Sequence, residues 1–216
     1  MKMRECPVWS SETTLEFEES KKNCENFIFR QLHEPLFHFA TASLEDSLSN
    51  QRTHDRIESL QFLSAEHLDI RSLQYLLEEN SSAVGYSEAN LLSDAIQHLA
   101  GMEKATSPDD KLLCLRNCSV AIAQILKAAH DRRAAQNATK SSIIASNPNG
   151  IPASNSDPHK KVAPGADELL PVMILTIKCC NPKNIHSEIK FLQHFLRPSR
   201  MVSEAGKLLN LLLLKI

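Results

Sequence analysis

An all-α fold is predicted from three observations. Apolar residues recur at spacings of three and four along most of the 216-residue chain. No segment alternates apolar and polar residues in the manner of a strand. Only 5 glycines and 5% aromatic residues leave little material for the turns and strands of a sandwich or barrel. One long loop without helical spacing is expected inside this fold.

Thr13 or Thr14 is the expected cap of a first helix after a frayed start from Met1 to Glu12. Phe17, Cys24, Phe27, Ile28 and Leu32 recur along it at helical spacing. Pro35 ends or kinks this helix, Leu36, Phe37 and Phe39 continue its apolar surface, and a polar stretch from Ser43 to Thr53 follows. Asp55 to Leu63 reads as a helix with Ile57, Leu60 and Leu63 facing inward. Ser64 to His67 forms a turn, Leu68 and Ile70 are buried, and Leu73, Leu76 and Leu77 mark a short helix ending near Asn80. Ser87 caps the next, with Leu91, Leu92, Ala95, Ile96 and Leu99 as its stripe and Gly101 as its stop.

Ser107-Pro108-Asp109-Asp110 is a helix start with a cap, a proline at the first position and acids in the first turn. The helix that follows is apolar over a broad face (Leu112, Leu115, Cys118, Ile122, Leu126), which places it at the centre of the domain. From Asp131 to Gly165 Ala, Ser, Asn, Pro and Lys dominate. Loops beyond about 12–15 residues are uncommon in compact domains, so this stretch reads as a flexible insertion. It leads into Gly165-Ala166-Asp167-Glu168-Leu169-Leu170-Pro171, the start of an apolar helix that runs to Cys180 and is ended by Asn181-Pro182. A helix from about Asn184 carries Ile185, Ile189, Leu192, Phe195 and Leu196, Arg197-Pro198-Ser199-Arg200 breaks it, and a last helix begins at Ser203.

Composition narrows the chemistry. A net charge of -2 lacks the basic excess that a nucleic-acid surface needs. Six cysteines include no CxxC, and with no signal peptide at Met1 a reducing cytosolic setting is expected. Cys114 and Cys118, one helical turn apart, read as buried thiols. The nine histidines show no paired-ligand spacing, so no metal site is expected. Neither a phosphate-cradling glycine loop nor a GxSxG elbow is present, which argues against nucleotide hydrolysis and acyl transfer. No cofactor is expected. No apolar run reaches the roughly 18 residues of a bilayer span, and the tail Leu208 to Ile216 is too short. Lys140, Lys160 and Lys161 read most simply as solvated loop charges, with a membrane-surface contact as the alternative.

Asp167 taken alone is a helix cap, and Pro171 a helix-start residue in the first turn. Their surroundings add more. Ala166-Asp167-Glu168-Leu169-Leu170-Pro171, Asn181-Pro182, Ile185-His186-Ser187, Phe195, Arg197-Pro198-Ser199-Arg200 and Glu204-Ala205-Gly206 together resemble the vacuolar-protein-sorting-nine (VPS-nine) domain. Leu60-Gln61-Phe62-Leu63 with Leu68-Asp69-Ile70, and Asp110-Lys111-Leu112 with Asn117-Cys118, also look like that family. The resemblance covers roughly Asp55 to Gly206 and is most specific between Asp167 and Arg200. It implies a layered helical bundle, with residues 1–54 as a bracing helical segment and 55–216 as the domain, interrupted by the insertion at about 131–165.

The family comprises guanine-nucleotide exchange factors for the Rab-five branch of small GTPases. The resemblance therefore implies a Rab-five-type partner, a cytoplasmic protein at the periphery of early endosomes, and a role in endocytic traffic. It gives Asp167 the part of an acid inserted into the nucleotide site, makes Pro171 a shaper of the apolar groove for the GTPase switch regions, and puts Arg200 near that groove. The resemblance breaks at Lys207, where the family carries a tyrosine that contacts the switch surface. The segment ahead is one residue shorter, and the chain stops at Ile216 where the family continues. A truncated or altered C-terminal form is thus expected, with a non-catalytic Rab-binding module as the alternative to an exchange factor.

Overall fold

The first helix shows how local sequence sets the architecture. Thr13 is its cap: the Thr13 hydroxyl accepts the Glu16 N–H, while the Glu16 carboxylate accepts the Thr13 N–H at 2.9 Å, which closes a capping box. The computed structural model describes residues 2–79, 87–145, 166–203 and 206–207, without the side chains of 2, 4, 138–145, 166 and 167. In chain order its helices are α1 (Thr14–Thr41), α2 (Leu44–Ser59), α3 (Arg71–Glu79), α4 (Glu88–Leu91), α5 (Ser93–Lys104), α6 (Pro108–Ala145), α7 (Ala166–Cys180), α8 (Ile185–Phe195) and α9 (Pro198–Met201), after a 3-10 turn at Lys2–Glu5. No strand occurs among the described residues, and the fold is all-α.

The chain divides into two compact units that do not follow its order. One comprises Met1–Thr53, Gly101–Leu115 and Lys183–Ile216, and the other His54–Ala100 and Arg116–Pro182. In the first, α1 lies against α8. Phe29 and Phe37 of α1 meet Phe191 of α8 at ring-centroid distances of 6.4 and 5.6 Å, and Phe29 meets Phe195 at 5.7 Å. In the second, Ile70, Leu73, Leu92, Ala95, Leu99, Ile122, Leu126, Val172, Met173 and Leu175 make an aliphatic core. Cys118 lies in it, and burial pushes its thiol up to about 12, so it packs as a small apolar group.

Several boundaries differ from expectation, each for a physical reason. α1 continues through Pro35 to Thr41. The missing Pro35 N–H would have met the carbonyl of Gln31, and both residues are exposed, where water can serve that carbonyl. Phe27, Ile28 and Leu32, expected inward, are 64%, 51% and 46% exposed, because α1 turns its Phe29–His33–Phe37 row toward α8. The polar stretch from Ser43 is helical. α2 is held by Asp46 on Lys190 and by Asn50 on Ser187, contacts that leave no apolar stripe to read.

The helix expected from Ser87 to Gly101 is broken at Leu92 into α4 and α5, and α5 passes Gly101 to end at Lys104. Gly101 is a packing position: a Cβ there would sit 3.5 Å from the Cys114 sulfur. α6 runs on to Ala145, so the expected insertion begins with helix. Residues 131–137 are exposed along it, and Ala, Arg and Gln form helix without an apolar face. Residues 146–165 lie outside the described residues. α6 also corrects the span reading: Pro108–Asn137 contains an 18-residue window of mean hydropathy 1.4, long and apolar enough to cross a membrane by length and composition alone. Its buried side chains from Leu112 to Ala129 serve equally as the core of a helical protein.

Candidate functional site

α7 presents the Asp167 segment. Val172, Met173, Leu175, Thr176 and Ile177 are buried, which fixes the face that α7 turns inward. Side chains tie both of its ends. Near the start, the Ser72 hydroxyl donates to Glu168 Oε2 at 2.8 Å, placing the Glu168 carboxylate at the first turn of α3, where the helix dipole favours it. Near the end, Lys178 Nζ donates to the Leu63 carbonyl at 2.9 Å and lies 3.5 Å from Glu88 Oε2. Glu88 also accepts the Ala65 N–H, and Gln61 donates to the Lys178 carbonyl at 2.9 Å.

α7 begins at Ala166, so Asp167 is its second residue rather than its cap, and its side chain lies outside the described residues. Pro171 is the sixth residue, one turn deeper than expected, and half-buried. There it removes the N–H that would close an α-helical bond onto the Asp167 carbonyl. The turn bearing Asp167 is thus joined to the helix by one bond fewer than an ordinary turn. Asn181, at φ 43°, ends α7 ahead of Pro182, as expected.

Arg200 and Lys207 belong to the other unit. Arg200 stands on α9, half-exposed, with Nε 3.8 Å from Asp109 Oδ1, and Lys22 Nζ approaches the other oxygen of Asp109 at 3.9 Å. Lys207 is exposed, and its N–H donates to the Ser203 carbonyl at 2.9 Å. Gly206 before it is buried. A Cβ there would fall 2.3 Å from the Met201 carbonyl oxygen, so only glycine fits. The four expected site residues therefore fall as two pairs, Asp167 with Pro171 on α7 and Arg200 with Lys207 after α8.

Two ion pairs, Lys111 with Glu188 and Asp46 with Lys190, escaped the sequence reading. Lys111 is fully buried, and its ammonium donates to Glu188 Oε2 at 2.5 Å and to the Met102 carbonyl at 2.9 Å. It also lies 5.6 Å from the ring centroids of both Phe37 and Phe191. Burial pushes the Glu188 carboxyl up, and Lys111 pulls it back. Burial, with Lys111 second, pushes neighbouring His33 down, which favours a neutral ring beside the ammonium. Buried Asp46 accepts from Lys190 Nζ through both oxygens at 2.6 Å, and this bond above all holds its carboxyl below the usual range. A signal existed for Lys111 and Glu188. Positions 111, 115, 118 and 122, and positions 185, 188, 189 and 192, are helical stripes in which one charged residue occupies a core position.

Among the described residues no group of three or more His, Cys, Asp or Glu side chains is placed to hold a metal ion. Comparison with known proteins gives the family. Vacuolar protein sorting-associated protein 9A of Arabidopsis thaliana is 28% identical over 201 residues, 93% of this chain and 31% of that protein. Vacuolar protein sorting-associated protein 9A of Oryza sativa subsp. japonica is 31% identical over 199 residues, 91% of this chain and 33% of that protein. Vacuolar protein sorting-associated protein vps901 of Schizosaccharomyces pombe is 21% identical over 221 residues. The chain spans about a third of the length of these relatives. The family model of the Vacuolar sorting protein 9 (VPS9) domain matches residues 92–212, and with α7, α8 and α9 inside that match the chain belongs to the VPS9 domain family.

Proposed function

We propose that this chain is a guanine-nucleotide exchange factor for a small GTPase of the Rab-five branch, acting in endocytic traffic at the cytoplasmic surface of early endosomes. The observation that carries the reading is the Asp167–Pro171 run at the start of α7, inside the VPS9 match. A GTPase holds its nucleotide largely through a phosphate-loop lysine and a magnesium ion. The Asp167 carboxylate enters that site, draws the lysine away, repels the β-phosphate and helps expel the metal. Nucleotide affinity falls because the exchange factor binds the nucleotide-poor state better, with no covalent step. Pro171 shapes the groove that receives the switch regions, and Arg200 and Lys207 line the GTPase-facing surface. The ties at both ends of α7 support this reading, since a prong works only on a fixed base.

The experiment is release of a fluorescent GDP analogue from a purified Rab-five-type GTPase, with the chain and with Asp167→Ala, alongside direct binding. The expected result is stimulated release by the chain, a fall to near the spontaneous rate with Asp167→Ala, and retained binding. Equal release by both proteins overturns the role of Asp167. A second reading, a non-catalytic Rab-binding module, is favoured by exposed Lys207, which stands where the family resemblance expects a tyrosine. Binding without stimulated release supports it, and absence of both overturns the two readings together.

A further inference from the structure

We propose that Ser72 and Glu168 are positioning residues for nucleotide release: their hydrogen bond sets the bearing of the α7 turn that carries Asp167, an inference that rests on the reading of Asp167 above. Asp167 and Glu168 are adjacent acids, and the fold engages the second of them. The Glu168 carboxylate accepts the Ser72 hydroxyl at 2.8 Å, with both side chains half-buried. Successive residues of a helix lie about 100° apart around its axis, so holding Glu168 fixes how the backbone of its neighbour is turned.

The turn ahead of Pro171 is short of other restraints. Its leading N–H groups have no partner within the helix, and Pro171 removes one bond more. Residues 168–171 are half-buried, and full burial on α7 begins at Val172. Apolar packing therefore grips α7 behind the proline, and the Ser72 bond acts in front of it. The base of that bond is firm. Ser72 is the second residue of α3 and stands between Ile70 and Leu73, which are 1% and 0% exposed. The Ile70 N–H donates to the Ala65 carbonyl at 2.9 Å, the Ala65 N–H donates to Glu88, and the Leu63 carbonyl accepts from Lys178 at the far end of α7. Residues 63–72 thus form a clamp that meets α7 at Glu168 and again at Lys178, about 15 Å apart along the helix. All of these residues belong to one compact unit.

The test follows release of a fluorescent GDP analogue from a Rab-five-type GTPase over a range of concentrations of the full chain. The proteins compared are the native chain, Ser72→Ala, Ser72→Thr, Glu168→Ala, the Ser72→Ala, Glu168→Ala double variant, and Asp167→Ala. Ser72→Ala and Glu168→Ala should each lower the maximal release rate about tenfold, with the half-saturating concentration and Tm unchanged. The double variant should fall no further, because the two side chains act as one pair, and Ser72→Thr should restore release by keeping the hydroxyl. Native release by Ser72→Ala beside an inactive Asp167→Ala overturns the positioning role and leaves the exchange reading standing. Native release by Asp167→Ala, or no stimulated release by the native chain, overturns both. Losses that multiply in the double variant, or that appear in the half-saturating concentration alone, also overturn the positioning role. A second readout needs no GTPase: amides of residues 168–172 should exchange with solvent about tenfold faster in Ser72→Ala, with α8 unchanged. Unchanged exchange there overturns the proposal.

Discussion

The two units bury different chemistry. In the unit built on α1 and α8, the buried polar side chains among the described residues are Asp46, Ser107, Lys111, Ser187 and Glu188, and the Lys111 ammonium lies against the rings of Phe37 and Phe191. In the unit built on α3 and α7 the interior is aliphatic, and the buried polar residue among its described residues is Thr176, whose hydroxyl bonds back to the Val172 carbonyl. Apolar packing is non-directional and tolerates swaps of similar volume. A buried charge is satisfied by one partner in one place, and desolvation offsets much of the attraction it gains. The first unit thus depends on particular pairs, and the second on filled volume. The candidate prong at Asp167 stands on the second, while Arg200 and Lys207 stand on the first.

The comparison breaks most visibly at Lys111. Lys111→Met strands the Glu188 carboxylate in an apolar surround and should cost about 3–5 kcal/mol in urea unfolding. Adding Glu188→Leu should recover most of that loss, since it removes the stranded charge. A double variant as unstable as the single one would mean that Lys111 acts through volume alone. Hydrogen exchange sharpens the point: amides of α1 and α8 should exchange faster in Lys111→Met than those of α7.

A smaller loss is expected in the aliphatic core. Met173→Ala should cost about 2–4 kcal/mol through lost burial and a residual cavity, whereas Met173→Leu should cost less than about 1.5 kcal/mol. If the leucine variant were as damaging as the alanine, the second unit would share the exacting geometry of the first.

The smallest effect carries a pH signature. The Asp46 carboxyl is held below its ordinary value of 3.8, mainly by the Lys190 hydrogen bond. A depressed carboxyl stabilises the fold in full above that ordinary value, and the contribution disappears as pH falls through the lower folded value. Asp46→Asn should therefore cost about 1–2 kcal/mol at neutral pH, with the gap to the native protein closing below pH 3.8. A gap that stays constant into acid would show that the pair is held by shape rather than by charge.

The legible parts of the molecule were those that follow apolar period or cap chemistry. Thr13, Ser87 and Ser107 cap where expected, the α6 stripe from Leu112 to Leu126 is buried, and Asn181 ends α7. The misread parts are held by something else. α2 is anchored by Asp46 and Asn50, so its core-facing side reads as a loop. The extension of α6 past Asp131 is an exposed helix made of good helix formers, with no stripe to reveal it. Pro35 and Gly101 are punctuation in a sequence, yet each sits inside a helix, because packing on the far side of α1 and beside Cys114 outweighs the local preference. The Asp167 segment was readable through its motif, while its links to the rest of the unit, Ser72 to Glu168 and Lys178 to Glu88, connect residues roughly ninety positions apart and leave no local trace.

The Lys111 ammonium gathers contributions from three separated stretches: Phe37 from the first, Met102 on its own, and Glu188 with Phe191 from the last. During synthesis the ribosome must therefore release residue 191 before this centre can close. Until then α1 waits with its aromatic row uncovered, for the time taken to add about 150 residues, roughly ten to thirty seconds. Nascent chains of this protein should be clients of holding chaperones over that interval, and release from them should coincide with emergence of α8.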